Sequence, residues 1–136
     1  MQEKLENYIE ELSLFDDIMD KYEYIIDLGK RAPSLRENEK IDEYKIQGCQ
    51  SSVWIIKELR EGKLYFKTDS DTVIVRGLAR ILGDIFAAHL PQEILNFDTK
   101  ELEKLGLQEI ISPVRLNGFT SMINKIYQYA KDENRG

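Results

Sequence analysis

Between residues 52 and 68 the chain changes period, and that change limits the folds open to it. Residues 52–60 begin with Ser52 and continue as Val53-Trp54-Ile55-Ile56, rich in β-branched and aromatic side chains. Residues 63–68 alternate, with Leu64 and Phe66 opposed to Tyr65 and Lys67. Only Glu61-Gly62 separates the two runs, the length and composition of a tight hairpin turn. A weaker alternation precedes them at 43–47, where Tyr44 and Ile46 share one face, so a three-stranded antiparallel sheet is expected. Everything on either side follows the helical period instead. The expectation is an α+β fold in which helices pack against this sheet.

The flanking helices are defined by their apolar stripes and stop signals. Leu5, Tyr8, Ile9 and Leu12 give the first helix one buried face. Ser13 and Asp16 form a capping-box-like start for a second, with Ile18, Tyr22, Ile25 and Ile26 buried; Gly29 suits its C′ position, so it should end near Leu28. Asp69, Ser70 and Asp71 are candidate caps for a helix over 72–89 that buries Ile74, Leu78, Ile81, Leu82 and Ile85. Gly77 and Gly83 inside it cost about 1 kcal/mol each relative to alanine, which points to close packing. Short helical pieces are expected at 91–95 and 99–104. Ser112-Pro113 then opens a last helix that buries Phe119, Met122, Ile123, Ile126, Tyr127 and Ala130, with 131–136 a frayed tail. Trp54 is expected in the core.

At 136 residues the chain is one domain, 1–136, able to bury about two-thirds of its unfolded surface. The net charge of −6 is concentrated at one end: residues 1–43 hold thirteen acidic and six basic side chains, against twelve and thirteen in the remainder. That acidity, including Asp20, Glu23 and Asp27, is a solvated face; no basic stripe for nucleic acid is visible. No apolar run is long enough to span a bilayer, and the start lacks a signal peptide, so a cytoplasmic location with no membrane partner is expected.

Counting removes most chemistries. One cysteine and one histidine cannot assemble a structural zinc site or hold an iron–sulfur cluster, and no phosphate-cradling glycine motif is present. What remains is the chemistry of one thiol. Cys49 lies between Gly48 and Gln50-Ser51-Ser52, at a polar corner between two expected strands, where loop N–H groups could lower its pKa. A cysteine of purely structural use sits more commonly inside an apolar run. Two uses of the thiol stay open. It can take the outer sulfur of a partner's persulfide, which needs an accessible thiolate and no second cysteine. It can also act as nucleophile of a cysteine-dependent hydrolase or acyltransferase, which needs a base; only His89 is available, and its place at a helix end suits a structural role instead.

Gly48-Cys49-Gln50-Ser51 followed by Val53-Trp54 resembles the active-site segment of the SufE family of cysteine desulfuration proteins. Three further stretches fit the same family in the same order. They are Tyr24-Ile25-Ile26-Asp27-Leu28-Gly29 with Pro33 and Leu35; Asp69-Ser70-Asp71 leading to Ile74-Val75-Arg76-Gly77-Leu78; and Ser112-Pro113 with Arg115, Asn117-Gly118 and Met122-Ile123. The resemblance implies a fold like that of the iron–sulfur scaffold protein IscU. It also implies a sulfur carrier that takes persulfide sulfur from a cysteine desulfurase, SufS-type or CsdA-type, stimulates that enzyme and delivers to the Suf assembly scaffold. Pyridoxal phosphate would belong to the desulfurase, with no cofactor or metal on this chain. It makes Cys49 the acceptor, Gly48, Gln50 and Ser51 the residues that shape its loop, and Arg115 a support for that loop or for the thiolate. Thr72 and Val114 depart from the family pattern, where alanine and serine are common.

Overall fold

The computed structural model describes residues 1–134. In chain order it has α1 (Gln2–Ser13), α2 (Ile18–Arg31), β1 (Val53–Arg60), β2 (Lys63–Ser70), α3 (Val73–Phe86), α4 (Pro91–Asn96) and α5 (Pro113–Glu133). Short 3-10 turns fill 37–39, 42–44, 99–105 and 107–109. The architecture is α+β, and among the described residues no helix is long and apolar enough to cross a membrane.

β1 and β2 form an antiparallel hairpin in continuous register from Val53 opposite Ser70 to Arg60 opposite Lys63. Its turn is Glu61-Gly62, as expected, both at positive φ (50° and 81°), the geometry a two-residue hairpin needs. The expected third strand does not form. Residues 42–44 coil into a 3-10 turn, and only Lys45 bridges to Trp54, with Ile46 N–H donating to the Val53 carbonyl at 2.8 Å. Five weakly alternating residues give too few ladder bonds before Gly48, at φ 87°, turns the chain away. The sheet is therefore two-stranded.

The core is one continuous cluster in which Val53, Ile55 and Leu64 of the hairpin meet Leu78, Ile81, Leu82 and Ile85 of α3 and Phe119, Met122 and Ile126 of α5. Period two then forces Trp54 to the other face. It is only half-buried there, under the Lys40 ammonium 5.6 Å from its ring, rather than in the core. Tyr129 of α5 reaches β1 and donates to the Ile55 carbonyl at 2.6 Å.

Several boundaries differ from expectation for local reasons. α2 is capped by Asp17, whose carboxylate accepts from Met19 N–H at 2.8 Å, so Ile18 falls in the exposed first turn. It runs to Arg31, past Gly29, because Gly29 serves a helix crossing and not a terminus. A Cβ there would lie 2.2 Å from the Val73 carbonyl oxygen, and one on Gly77 would lie 2.1 Å from that of Ile25. Gly83 is different: its nearest neighbour is 3.5 Å away, ordinary contact. α3 stops at Phe86, since Ala88 takes φ 67° and donates to the Leu64 carbonyl at 2.8 Å. α5 continues through the expected tail to Glu133, held by a 2.8 Å ion pair with Lys57; residues 135–136 lie outside the described residues.

Candidate functional site

Cys49 occupies the loop that joins the Lys45 bridge to β1, and the loop is fixed on its downstream side. Ser51 and Thr72 share a hydrogen bond between hydroxyls at 2.8 Å, and Ser52 N–H donates to the Asp71 carboxylate at 3.1 Å. The Ser52 carbonyl accepts from the Ser70 hydroxyl at 2.7 Å. Asp69 and Asp71 were expected to cap α3. Asp71 instead anchors the cysteine loop, while Asp69, 3% exposed, accepts from the Leu35 and Ser70 N–H groups and pairs with Arg76 at 3.1 Å. Both carboxylates thus fasten segments distant in sequence to the start of α3.

The upstream half of the loop rests on α5. Gly48 lies against Ser121, where a Cβ would come within 3.0 Å of the hydroxyl oxygen. The Cys49 thiol donates weakly to the Gly118 carbonyl at 3.6 Å, and a Cβ on Gly118 would sit 3.3 Å from Sγ. Gln50 is exposed and also lines the cleft beside the sulfur. Beside the sulfur is a cavity of about 20 Å³ lined by Val75, Val114, Met122 and Arg115, on the scale of one small atom group. Arg115 comes from the first turns of α5, positioned because Ser112 caps that helix by accepting from the Arg115 N–H at 3.3 Å. Its guanidinium makes no hydrogen bond or ion pair among the described residues.

Burial pushes the Cys49 thiol pKa up, so the loop does not supply the lowered value that its polar composition suggested. A half-buried thiol whose proton faces a carbonyl is favoured in its neutral form. His89 is far from it. Its bridge partner Leu64 pairs with Leu59, six residues along β1 from Val53, or about 20 Å at ~3.3 Å per residue. His89 is also not at a helix terminus. Its Nε2 is 2.9 Å from the Met1 amino group, and burial followed by that positive charge lowers its pKa. Cys49 therefore has no imidazole beside it.

The structure brings Cys49, Gln50, Ser51 and Arg115 around one small cleft, while Gly48 lies next to them in the chain against Ser121. Sequence reasoning did not assign Gly118, Ser121 or Asp71 as supports of the loop. Gly118 carried a usable signal, since a glycine inside a helical stripe costs about 1 kcal/mol and calls for a packing reason. Thr72 and Val114, the two departures from the family pattern, both lie against this loop, Thr72 through Ser51 and Val114 in the cleft wall.

Comparison with known proteins gives the same grouping. A solved solution structure, described as a hypothetical protein from Thermus thermophilus, superposes with a TM-score of 0.77 over 96% of this chain and 95% of the other, at 15% identity. That likeness concerns the fold. The family model for the SufE, Fe–S metabolism associated domain matches residues 6–130, which takes in both hairpin strands, the cysteine loop and nearly all of α5. The chain belongs to the SufE family.

Proposed function

We propose that the chain is a sulfur acceptor and carrier, taking persulfide sulfur from a cysteine desulfurase onto Cys49. The observation that carries this reading is a lone thiol at a tethered loop tip, with neither a second cysteine nor an imidazole beside it, in a chain of a family associated with Fe–S metabolism. Without a neighbouring thiol, a persulfide on Cys49 has no internal route to a disulfide. Without a base, the acyl chemistry of cysteine hydrolases lacks its proton acceptor.

In the step itself the Cys49 sulfur, as thiolate, attacks the terminal sulfur of the partner's R–S–SH. The partner's S–S bond breaks, R–S⁻ departs and takes up the proton that Cys49 gave up, and Cys49–S–SH remains. No electrons are gained or lost overall. In this reading Arg115, which lines the cleft and makes no side-chain hydrogen bond or ion pair among the described residues, supplies positive charge for the thiolate and for the charged persulfide that follows. Gly48, Gln50 and Ser51 shape the loop that presents the sulfur. The desulfurase brings the pyridoxal phosphate; this chain brings only the thiol and its frame. Delivery is to an assembly scaffold for iron–sulfur clusters.

The test is the rate of alanine formation from cysteine by a SufS-type desulfurase, with and without the chain. The wild type should accelerate turnover, Cys49→Ser should not, and Arg115→Ala should fall between them while keeping the wild-type melting temperature. Equal stimulation by Cys49→Ser would remove the thiol from the reaction.

A further inference from the structure

The cysteine loop is held unevenly, and the weak side is the side that carries the thiol. Ile46 is bonded to Val53, and Ser51 and Ser52 are bonded to Thr72, Asp71 and Ser70. Between these anchors, the backbone of residues 47–50 makes no hydrogen bond to α3, α5 or the sheet among the described residues. Its contacts with α5 are packing at two glycine-dependent points and one weak S–H donation. On α5 the two points are Gly118 and Ser121, three residues apart and so stacked on one face of the helix. Gly118 is buried although it lies in the first two turns of α5, because the sulfur itself covers it.

We propose that Gly118, with Ser121 one turn further on, is the positioning residue that keeps Cys49 withdrawn against α5 and thereby sets how reactive its thiol is at rest. The missing Cβ at 118 is the seat for the sulfur. A methyl placed there lies 3.3 Å from Sγ, closer than such contacts normally come, so one side has to give. The helix backbone cannot move without disturbing the core around Phe119 and Met122, whereas the loop yields without losing a backbone hydrogen bond to its neighbours. The thiol is therefore the side that moves, outward. For sulfur transfer this rests on the acceptor reading above; the thiol's own reactivity is tested without any partner.

The charged groups facing the thiol are few. Arg115 lines the cleft from α5, and Asp71 stands at the start of α3 with its carboxylate engaged by Ser52 N–H and the Thr72 hydroxyl; otherwise α3 presents the apolar Val75. Burial is what raises the pKa of Cys49. Lifting the sulfur off its seat removes that cause, and each unit by which a thiol pKa falls toward its ordinary value raises the thiolate fraction at neutral pH about tenfold.

The experiment is the pH profile of Cys49 alkylation by iodoacetamide, a neutral probe, in the wild type, Gly118→Ala, Ser121→Leu and the exposed-face control Thr120→Ala. Melting temperatures are recorded alongside. Gly118→Ala and Ser121→Leu should react several-fold faster at pH 7, with the midpoint of the profile moved to lower pH, and Thr120→Ala should match the wild type. Gly118→Ala should at the same time melt no lower than the wild type, because alanine favours the helix; this separates release of the thiol from general loosening. Unchanged or slower alkylation in folded Gly118→Ala and Ser121→Leu would overturn the proposal. So would a rate gain that appears only in step with a lowered melting temperature. Sulfur transfer to Cys49 could fail in a separate assay without altering either result.

Discussion

Two glycines in one helix should respond to the same substitution with opposite signs. In Gly77→Ala the new methyl would sit 2.1 Å from the Ile25 carbonyl oxygen and 2.8 Å from Ile25 Cγ2. Carbon and oxygen do not approach much closer than about 3.3 Å, so α2 and α3 must separate by about 1 Å at their crossing. Alanine gives back about 1 kcal/mol through helix propensity. Overpacking against backbone costs about 3 kcal/mol, the upper end of the usual range, because no side chain can rotate out of the way. The net loss is about 2 kcal/mol, which in a chain of 136 residues lowers the melting temperature by roughly 6–10 °C. Gly83→Ala meets Thr68 Cγ2 at 3.5 Å, an ordinary contact, and should gain up to about 1 kcal/mol. Thermal unfolding followed by circular dichroism, with urea titration to confirm equal m-values, measures both. If both variants rise together, propensity alone governs and the close crossing of α2 on α3 is refuted.

Two further outcomes follow from buried polar groups. Asp69→Asn removes the anion facing Arg76 and Lys40 while keeping the shape, and should cost about 3 kcal/mol in urea unfolding; a loss under about 1 kcal/mol would mean that the ion pair carries little. Burial pushes the Tyr129 phenol, which donates to the Ile55 carbonyl, up to about 12 from 10.0. The folded state thus favours the protonated form, so this contribution is complete below pH 10 and is lost as pH rises toward 12. Tyr129→Phe should be less stable at pH 7 by about 1 kcal/mol yet lose stability less steeply above pH 10; equal slopes would contradict the assignment.

The hairpin was legible because period two, a two-residue turn and a following helix agreed with one another, and α5 because Ser112-Pro113 fixed its start. What sequence could not supply were the places where one element decides the fate of another. Residues 43–47 alternate as a strand would, but whether a ladder forms depends on Gly48 turning the chain into the cysteine loop after a single bridge. Gly29 looks like a helix stop until α3 is known to cross there. His89 belongs by pattern to α3, yet the free edge of β2 at Leu64 claims it. In the site, Cys49 and Arg115 could be named from motifs, and the cleft contains both. The direction of the thiol's pKa could not, because it depends on how deeply α5 lets the sulfur sit. That depth is set by the absence of a side chain at Gly118, which leaves no mark in a hydropathy pattern.

Sulfur acceptance by Cys49 is read out by intact-protein mass spectrometry without reductant. The chain is incubated with cysteine and a catalytic amount of a SufS-type desulfurase, with Cys49→Ser in parallel. The wild type should gain one or more sulfur atoms, removed by later reduction, and Cys49→Ser should gain none. A wild-type mass that stays unchanged while the desulfurase turns over, or an equal gain on both proteins, would contradict sulfur acceptance by Cys49.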